Sequence, residues 1–365
     1  MQMVIVTYLF VIIINLILAH EKKNSRLVMF ISCIAIMLLM CGYRRPFYGD
    51  LDNYYYMYIE QQELPVGMDF IFKIFSTIGI DFYTVHYILL AVFLLVSMYV
   101  IKTFCENWHY AIALFSGYYI IISADQIKNH TAFIFLCFAI ICLYKNQKVK
   151  AVLFILIASS IHYSFIIYLL FVLISPKKSK YIIKICITIS LIYALMATMK
   201  LDAVIVNNFI PAIISILGSK IGAFAEMKVQ LYFSTRTSWG FLLCAGLQVL
   251  DFGLLKYSRN LMIKRGITNK IDFIEFVIRL NEIGFMAFPL FVYNMQWYRI
   301  IRDLLLINYC VYGCTYYHLK KNTQSRLLYL CATLGSVYIW LIGDLCFKTT
   351  PDLVIIPFFT NNIFL

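Results

Sequence analysis

Arginine, acidic and aromatic side chains occur together in one polar segment near the start of the sequence. The segment contains two adjacent arginines, two aspartates and three consecutive tyrosines: Arg44, Arg45, Asp50, Asp52, Tyr54, Tyr55 and Tyr56. Guanidinium groups bind phosphate oxygens through paired hydrogen bonds. Tyrosine rings can stack on sugars, and carboxylates can accept hydrogen bonds from sugar hydroxyls. The combination predicts a site for a phosphorylated sugar; the alternative is an aromatic belt at a membrane interface, with Arg paired to Asp.

A second arginine pair occurs late in the chain, beside Trp297. Arg299 and Arg302 are three residues apart, so a helix would place them on one face. Two cations on one face suit a diphosphate, and the Trp297 ring offers a surface for a sugar. The alternative is that Arg302 pairs with Asp303 while Trp297 anchors the chain at the membrane interface.

Lys128 and His130 lie in a short polar link that opens an apolar run. The first turn of a helix has free backbone N–H groups and the positive end of the helix dipole, and both favour anions. We therefore predict that Lys128 and His130 help to bind the diphosphate. Ordinary helix capping, with Lys128 extending toward the membrane surface, is the alternative interpretation.

His162 lies in the polar segment Ser159–Ser164, between two unusually short apolar stretches. A polar break at membrane depth is tolerated only where protein or a water-filled cavity surrounds it. His162 is therefore a candidate general base near neutral pH, with Asp50 and Asp52 as less favoured candidates. The alternative is a structural histidine that is hydrogen-bonded at a helix turn.

The composition predicts an all-α, polytopic integral membrane protein. Of the 365 residues, 62% are hydrophobic and 13% are charged, whereas a soluble domain carries roughly a quarter charged residues. Apolar runs predict about twelve spans in a single domain, 1–365. Their approximate limits are 3–19, 27–42, 83–103, 110–124, 130–144, 150–161, 163–175, 181–199, 237–257, 272–295, 303–319 and 326–343.

The distribution of Lys and Arg predicts the orientation. The formal net charge is +13, and the basic residues cluster in alternate short loops, as the positive-inside rule expects, so nucleic acid is not a predicted partner. The other loops then lie outside, including the large loops 43–82 and 200–236, and Pro65–Ile80 is expected to form an interfacial amphipathic helix. The candidate residues above fall on this outer side, where we expect the guanidinium groups of Arg44, Arg45, Arg299 and Arg302 to converge in one water-filled hollow.

The sequence lacks the motifs that are typical of several common classes of enzyme. The chain has no P-loop, GxGxxG, HExxH or GxSxG motif, and its eleven cysteines form no CxxC pair or zinc spacing. We predict no cofactor and no metal site. Arg279 and Glu282 fall within the tenth predicted span, where an ion pair between them is the favoured interpretation.

The order of these segments resembles the EpsG-like family of Wzy-type polysaccharide polymerases. The family begins with two helices and then an Arg, a Gly-Asp and Tyr residues, to which Arg44 or Arg45, Gly49, Asp50 or Asp52, and Tyr54 to Tyr56 are similar. A later family motif, Ile-Arg-Gln-x-x-Ala, resembles Ile127–Ala132, with Lys128 in place of Arg. The family's Ala-Ser-x-x-His-x-Ser resembles Ala158–Ser164, and its Arg-bearing late loop resembles Arg299–Tyr309.

The resemblance implies a GT-C-like arrangement and a metal-independent glycosyl transfer. A glycan on undecaprenyl diphosphate would pass en bloc to a new lipid-linked repeat at the periplasmic face of the bacterial inner membrane, with membrane lipid and a Wzz-type chain-length regulator as expected partners. In this hypothesis Arg44, Arg45, Arg299 and Arg302 bind the leaving diphosphate and His162 takes the acceptor proton. A lipid-linked glycan flippase, an O-antigen ligase and a structural protein of an export complex are the alternatives.

Overall fold

The structure is a computed structural model, and it describes residues 1–44, 50–60, 64–173, 180–201, 238–348 and 351–365. Arg45, Gly49 and most of the predicted outer loop 200–236 lie outside the described residues. Regular structure in the described ranges is helical, apart from one antiparallel bridge between Tyr43 and Asn362. The all-α prediction is confirmed for this part of the chain.

Helices fill the first half of the chain. Their bounds are Gln2–Glu21 (α1), Arg26–Gly42 (α2), Asp50–Ile59 (α3), Val66–Thr77 (α4), Phe82–Phe104 (α5), Trp108–Ser123 (α6), Ile127–Tyr144 (α7), Lys148–Ile161 (α8), Leu169–Leu173 (α9) and Lys180–Thr198 (α10). A 3₁₀ segment, Tyr163–Tyr168, precedes α9. The predicted amphipathic stretch is helical, as α4.

The second half begins with a long helix and then breaks into short segments. The helices are Ser238–Lys264 (α11), Ile271–Gly284 (α12), Phe288–Tyr293 (α13), Arg299–Arg302 (α14), Leu305–His318 (α15), Gln324–Ile342 (α16) and Ile355–Thr360 (α17). The predicted span 272–295 is therefore interrupted. Pro289, in the first turn of α13, has no backbone N–H to continue the preceding helix, and a new helix starts there.

Six helices in the described residues are long and apolar enough to cross a membrane. They are Gln2–Glu21, Phe82–Phe104, Ile127–Tyr144, Tyr181–Thr198, Phe241–Lys264 and Gln324–Cys346. The fold is that of a multi-pass membrane protein, but the prediction of about twelve spans is not confirmed. Two predicted spans correspond to α8 and to the Tyr163–Leu173 segment, each shorter than the roughly 20 residues that a crossing needs.

Basic residues from several loops gather at one end of the bundle, here called the basic end. Glu106 lies at its centre, where its carbonyl accepts from Asn24 at 2.8 Å and its carboxylate is 3.9 Å from the Lys270 ammonium. Lys321 pairs with Glu21 at 3.0 Å at the same end. The basic loops around residues 24, 270 and 321 therefore share one side, as the charge pattern predicted, and Glu106 lies with them.

Helix α6 is the central helix of the bundle. Every one of its residues is buried, which is typical of a helix that is apolar on all sides. Its far end, away from the basic end, carries Tyr118 and Tyr119, and α7 begins at that end. This arrangement delivers polar side chains to the interior near one end of the bundle.

The ion pair predicted between Arg279 and Glu282 is wrong. The Arg279 guanidinium lies 3.7 Å from Glu275, one helical turn earlier, and Glu282 pairs with Lys256 of α11 at 3.2 Å. Packing of α12 against α11 supplies Glu282 with a partner that the sequence of one helix does not reveal, whereas the partner of Arg279 lies on α12 itself.

Candidate active site

Arg302 is the most deeply buried of the predicted arginine and lysine residues that the structure describes, with 1% of its side chain exposed. Its Nη2 donates to the side-chain oxygen of Gln126 at 2.8 Å, and its Nη1 donates to the Tyr298 hydroxyl at 3.0 Å. Gln126 comes from the α6–α7 link, whereas Tyr298 ends the 3₁₀ turn before α14. These bonds fix the guanidinium plane between two separate parts of the chain.

Two buried carboxylates balance the charge of Arg302. Asp303 lies 3.8 Å from Nε and Asp344 lies 3.9 Å from Nη1. Both separations exceed hydrogen-bond length, so the carboxylates act on Arg302 through charge while Gln126 and Tyr298 supply the direct bonds. Burying a charge is costly unless it is paired, and this arrangement meets that condition.

Asp303 is held by hydrogen-bond donors from three elements. It accepts from the Tyr119 hydroxyl of α6 at 3.1 Å and from the Asn129 amide of α7 at 3.3 Å. The Tyr168 hydroxyl lies 3.2 Å from Asp303 and 3.0 Å from the Ile300 carbonyl. Asp303 therefore ties α6, α7 and the 3₁₀ segment to the start of α15.

Three of the predicted cationic residues lie near His162. Lys128, Arg299 and Arg302 all lie close enough to its imidazole to interact with it electrostatically. His162 is half-buried, and its Nδ1 is 2.7 Å from the Ser164 hydroxyl. These contacts link three separate segments of the chain in one group, here called the His162 cluster.

Arg299 differs from Arg302 in its surroundings. It is half-buried, and its Nε has no hydrogen-bond partner among the residues that the structure describes. The Nε of Arg302 is likewise without such a partner in the described part of the chain. The cluster thus retains guanidinium N–H groups that can donate to an anionic oxygen.

Close packing of α4 on α8 positions His162. A side chain at Gly67 would collide with the Ser160 hydroxyl and would lie 3.0 Å from the backbone carbon of Ser160. Glycine allows the first turn of α4 to approach the last turn of α8, directly before His162. The amphipathic segment found in the sequence therefore buttresses the candidate base.

The predicted tyrosines have three different environments. Tyr54 is buried, and the Lys128 ammonium lies 5.3 Å from its ring centre. Tyr55 is half-buried and stacks on Tyr83 at 5.7 Å, whereas Tyr56 is 50% exposed. Only Tyr56 of the three presents an open ring, so sugar stacking on Tyr54 and Tyr55 is not favoured by this conformation.

Arg44 lies in a neighbouring cluster. Its Nη1 donates to the carbonyls of Cys41 at 2.9 Å and Tyr43 at 2.7 Å, and its Nη2 donates to the Tyr87 hydroxyl. The guanidinium also stacks 4.3 Å above the Tyr83 ring. Arg44 therefore satisfies carbonyls at the end of α2 and is largely engaged by protein groups.

His130 does not face the His162 cluster. Its Nδ1 lies 3.0 Å from the Ser123 carbonyl, and its ring packs against Phe93 and His86 at centre distances of 5.5 and 5.9 Å. Lys128 and His130 are two residues apart, so they leave α7 in different directions. The predicted contact of His130 with a diphosphate is not supported by this placement.

The remaining predicted residues border the same end of the protein. Asp50 and Asp52 lie in the first turn of α3 and are half-buried, as is Trp297. Their roles, like that of Arg45, stay predictions.

Sequence reasoning missed three groups that shape the cluster. Gln126 and Asp344 were assigned no role, although both contact or balance Arg302. Asp251, buried within α11, accepts from Trp340 Nε1 at 2.7 Å and from the Ser336 hydroxyl at 2.8 Å. The available signal was the presence of isolated carboxylates within apolar runs, since such groups are usually paired or functional.

The fold and the site together define a multi-pass helical membrane protein with a buried cationic cluster at one end. The model of the EpsG family matches residues 27–350 of this chain. The chain therefore belongs to the EpsG family, a family of Wzy-type polysaccharide polymerase-like proteins. Searches of curated proteins and of solved structures found no significant match.

Proposed function

We propose that this protein polymerises undecaprenyl-diphosphate-linked oligosaccharide repeats into O-antigen, capsular polysaccharide or exopolysaccharide. The observation that carries the proposal is the convergence of Lys128, Arg299 and Arg302 on His162. A base beside several cations suits the transfer of a glycan from a diphosphate, because the reaction removes a proton and releases an anion. Membership of the EpsG family supports the same class of reaction.

The proposed step forms one glycosidic bond and breaks one sugar–phosphate bond. The acceptor hydroxyl of a new lipid-linked repeat attacks the anomeric carbon of the growing chain. The acceptor proton passes to His162, and the bond to the diphosphate breaks with both electrons remaining on the phosphate oxygen. Cations placed where that charge develops lower the barrier.

His162 requires one tautomer for this role. A neutral imidazole carries its proton on one nitrogen and accepts at the other. If Nδ1–H donates to the Ser164 hydroxyl, 2.7 Å away, Nε2 is the nitrogen that accepts the proton. We therefore assign Ser164 as the group that holds the base in its accepting form.

Arg299 and Lys128 are assigned to the leaving diphosphate, whereas Arg302 sets the local field from its buried position. Arg299 is half-buried with an unfilled Nε–H, and Lys128 begins α7. The proposal does not depend on Arg44, whose N–H groups already bind carbonyls and Tyr87.

The proposed reaction takes place on the periplasmic side of the bacterial inner membrane. The basic end is assigned to the cytoplasm by the positive-inside rule, and the His162 cluster lies at the opposite ends of α7 and α8. A Wzz-type chain-length regulator stays an expected partner.

The test uses a strain that lacks the chromosomal copy of this chain and receives plasmid variants. We expect wild type to restore long glycan chains, whereas Arg299→Ala and His162→Gln leave single repeats on the periplasmic side. Arg26→Ala, at an exposed arginine of the basic end, serves as the control and is expected to restore long chains. Membrane levels of each variant are compared by immunoblot.

The same strain separates the alternatives. Loss of a flippase would leave lipid-linked repeats on the cytoplasmic side, and loss of a ligase would leave long chains still attached to lipid. Full-length polymer from the Arg299→Ala, His162→Gln double variant would overturn the assignment of both residues.

A further inference from the structure

A groove of about 330 Å³ lies on the outside of the bundle, where α1 meets α15 and α16. Its apolar wall is formed by Ile13, Leu16 and Ile17 of α1 and by Leu330 of α16. His20, Glu21 and Tyr316 line its polar part, toward the basic end. The groove thus changes from apolar to polar in the direction in which a membrane changes from acyl chains to headgroups.

Four cations surround the polar end of the groove. Lys22 follows α1 directly, and its pKa is lowered by partial burial and by the repulsion of Arg326, Lys321 and Arg265. Glu21 pairs with Lys321 at 3.0 Å. That carboxylate is therefore engaged by Lys321 and does not pair with Lys22, Arg265 or Arg326. An arriving anion would relieve this repulsion.

The buried guanidinium of Arg326 is a second reason to expect an anion at this end of the groove. The Arg326 side chain is almost fully buried, and Nη2 donates to the His20 carbonyl at 2.9 Å while the guanidinium stacks 4.3 Å above the Tyr316 ring. Its Nε and Nη1 have no hydrogen-bond partner in the part of the chain that the structure describes. A buried cation with unfilled donors therefore stands directly behind His20 and Tyr316 at the groove's polar end.

We propose that this groove binds one anionic phospholipid from the leaflet at the basic end. One acyl chain lies along Ile13 and Ile17, and the phosphate lies beside Lys22, in front of Arg326. Apolar burial stabilises the chain, and basic residues near the surface attract anionic headgroups. A second copy of this chain is a poorer occupant, because the protein's own charge of +13 offers few carboxylates to meet Lys22, Arg265 and Arg326. The proposed site is independent of the polymerase function.

The test measures lipid retention by the full-length protein in detergent. Native mass spectrometry with added phosphatidylglycerol or phosphatidylcholine is expected to show preferential retention of one phosphatidylglycerol. Lys22→Glu should weaken that binding by more than about fivefold, since each basic residue near a headgroup contributes roughly that factor. Ile17→Trp, at a position 52% exposed, should block the groove without changing charge. Lys148→Glu reverses an exposed lysine of another basic loop and should leave binding unchanged.

Three outcomes would overturn the proposal. Equal retention of the two lipids, or an equal effect of Lys148→Glu and Lys22→Glu, would show that lipid binding does not depend on a specific site in this groove. Competition by inorganic phosphate alone, with Ile17→Trp still binding lipid, would make the site one for a free anion. A concentration-dependent dimer that Ile17→Trp abolishes would assign the groove to contact between copies of this chain.

Discussion

Arg302 and Asp303 are neighbours in the chain, with Nε of Arg302 3.8 Å from Oδ1 of Asp303, yet their hydrogen-bond partners are different residues from separate parts of the chain. Arg302 bonds to Gln126 and Tyr298, whereas Asp303 accepts from Tyr119 and Asn129. This adjacent pair thereby connects the start of α15 to both α6 and α7, and it sets the charge beside His162.

Arg302→Ala is expected to reduce both stability and polymerisation. Removing one partner leaves Asp303 and Asp344 buried without their cation, a change that costs about 3–5 kcal/mol in comparable sites. Chemical denaturation of the purified protein in detergent measures the loss of unfolding free energy. An unfolding free energy equal to that of wild type would contradict the structural role of this guanidinium.

Arg299→Ala is expected to remove activity without reducing stability. Its side chain is half-buried and its Nε is unpartnered within the described residues, so its loss strands no buried carboxylate that the structure places beside it. We expect the transfer rate to fall about 10²–10³-fold, as for the loss of one donor to a developing anion. Polymer synthesis in vesicles gives the rate, and the unfolding midpoint provides the stability control. Together with Arg302→Ala, this variant separates leaving-group binding from folding.

His162→Gln and Ser164→Ala test the base. Loss of a general base typically reduces a rate about 10²–10⁴-fold, and His162→Gln should also remove the acidic limb of the pH–rate profile. Ser164→Ala removes the hydroxyl that lies 2.7 Å from Nδ1, so it should lower the rate less while preserving the limb. A His162→Gln profile that keeps the wild-type limb would assign the base elsewhere.

Gly67→Val is expected to displace α4 from the end of α8. A Cβ at this position would lie 3.0 Å from the Ser160 backbone carbon, and backbone cannot move aside as the tip of a side chain can. The predicted result is loss of polymerisation with protein still in the membrane. Gly253→Ala is the matched control, because nothing lies within 4 Å of a Cβ there. The control should be neutral or stabilising by up to about 1 kcal/mol, since alanine favours a helix interior.

Asp251→Ala is expected to act on the site through Trp340. The Asp251 carboxylate holds Trp340 Nε1 at 2.7 Å, and the indole stacks at 6.2 Å on Tyr298, whose hydroxyl accepts from Arg302. Truncation leaves buried donors unsatisfied, at about 1–3 kcal/mol each. The readout is a fall in kcat with little change in KM. Asp251→Asn retains an acceptor for the indole and should restore most of the rate; if it performs no better than Asp251→Ala, the positioning role is wrong.

The membrane class could be predicted because it depends on run length and composition alone. Backbone groups in a bilayer must bond within their own segment, so long apolar runs become helices whatever their neighbours are. The number of membrane spans was harder to predict. The stretches 150–161 and 163–175 were predicted as spans. The helix over the first has only 14 residues, and the second begins as a 3₁₀ segment, so neither is long enough to cross.

For the candidate site, the sequence predicted which segments lie at the same end of the protein, but not which of their side chains meet. Alternation of helices places Lys128, His162 and Arg299 at one end, and the structure brings them together. Which side chains turn inward was not predictable, because α6 and α7 are apolar on most faces and give little indication of rotation. His130 was therefore expected beside Lys128, although it packs against Phe93.

Local hydropathy and charge are enough to predict that this chain is helical, is a multi-pass membrane protein and has basic residues from several loops at one end. The folded protein was needed to show that Arg302 is buried while Arg299 keeps an unfilled donor, and that Asp251, Asp344 and Gln126 support the site. Burial and pairing depend on side chains brought together from helices far apart in the chain, and a local pattern does not reveal them. Arg302 and Gln126, for example, are separated by 176 residues.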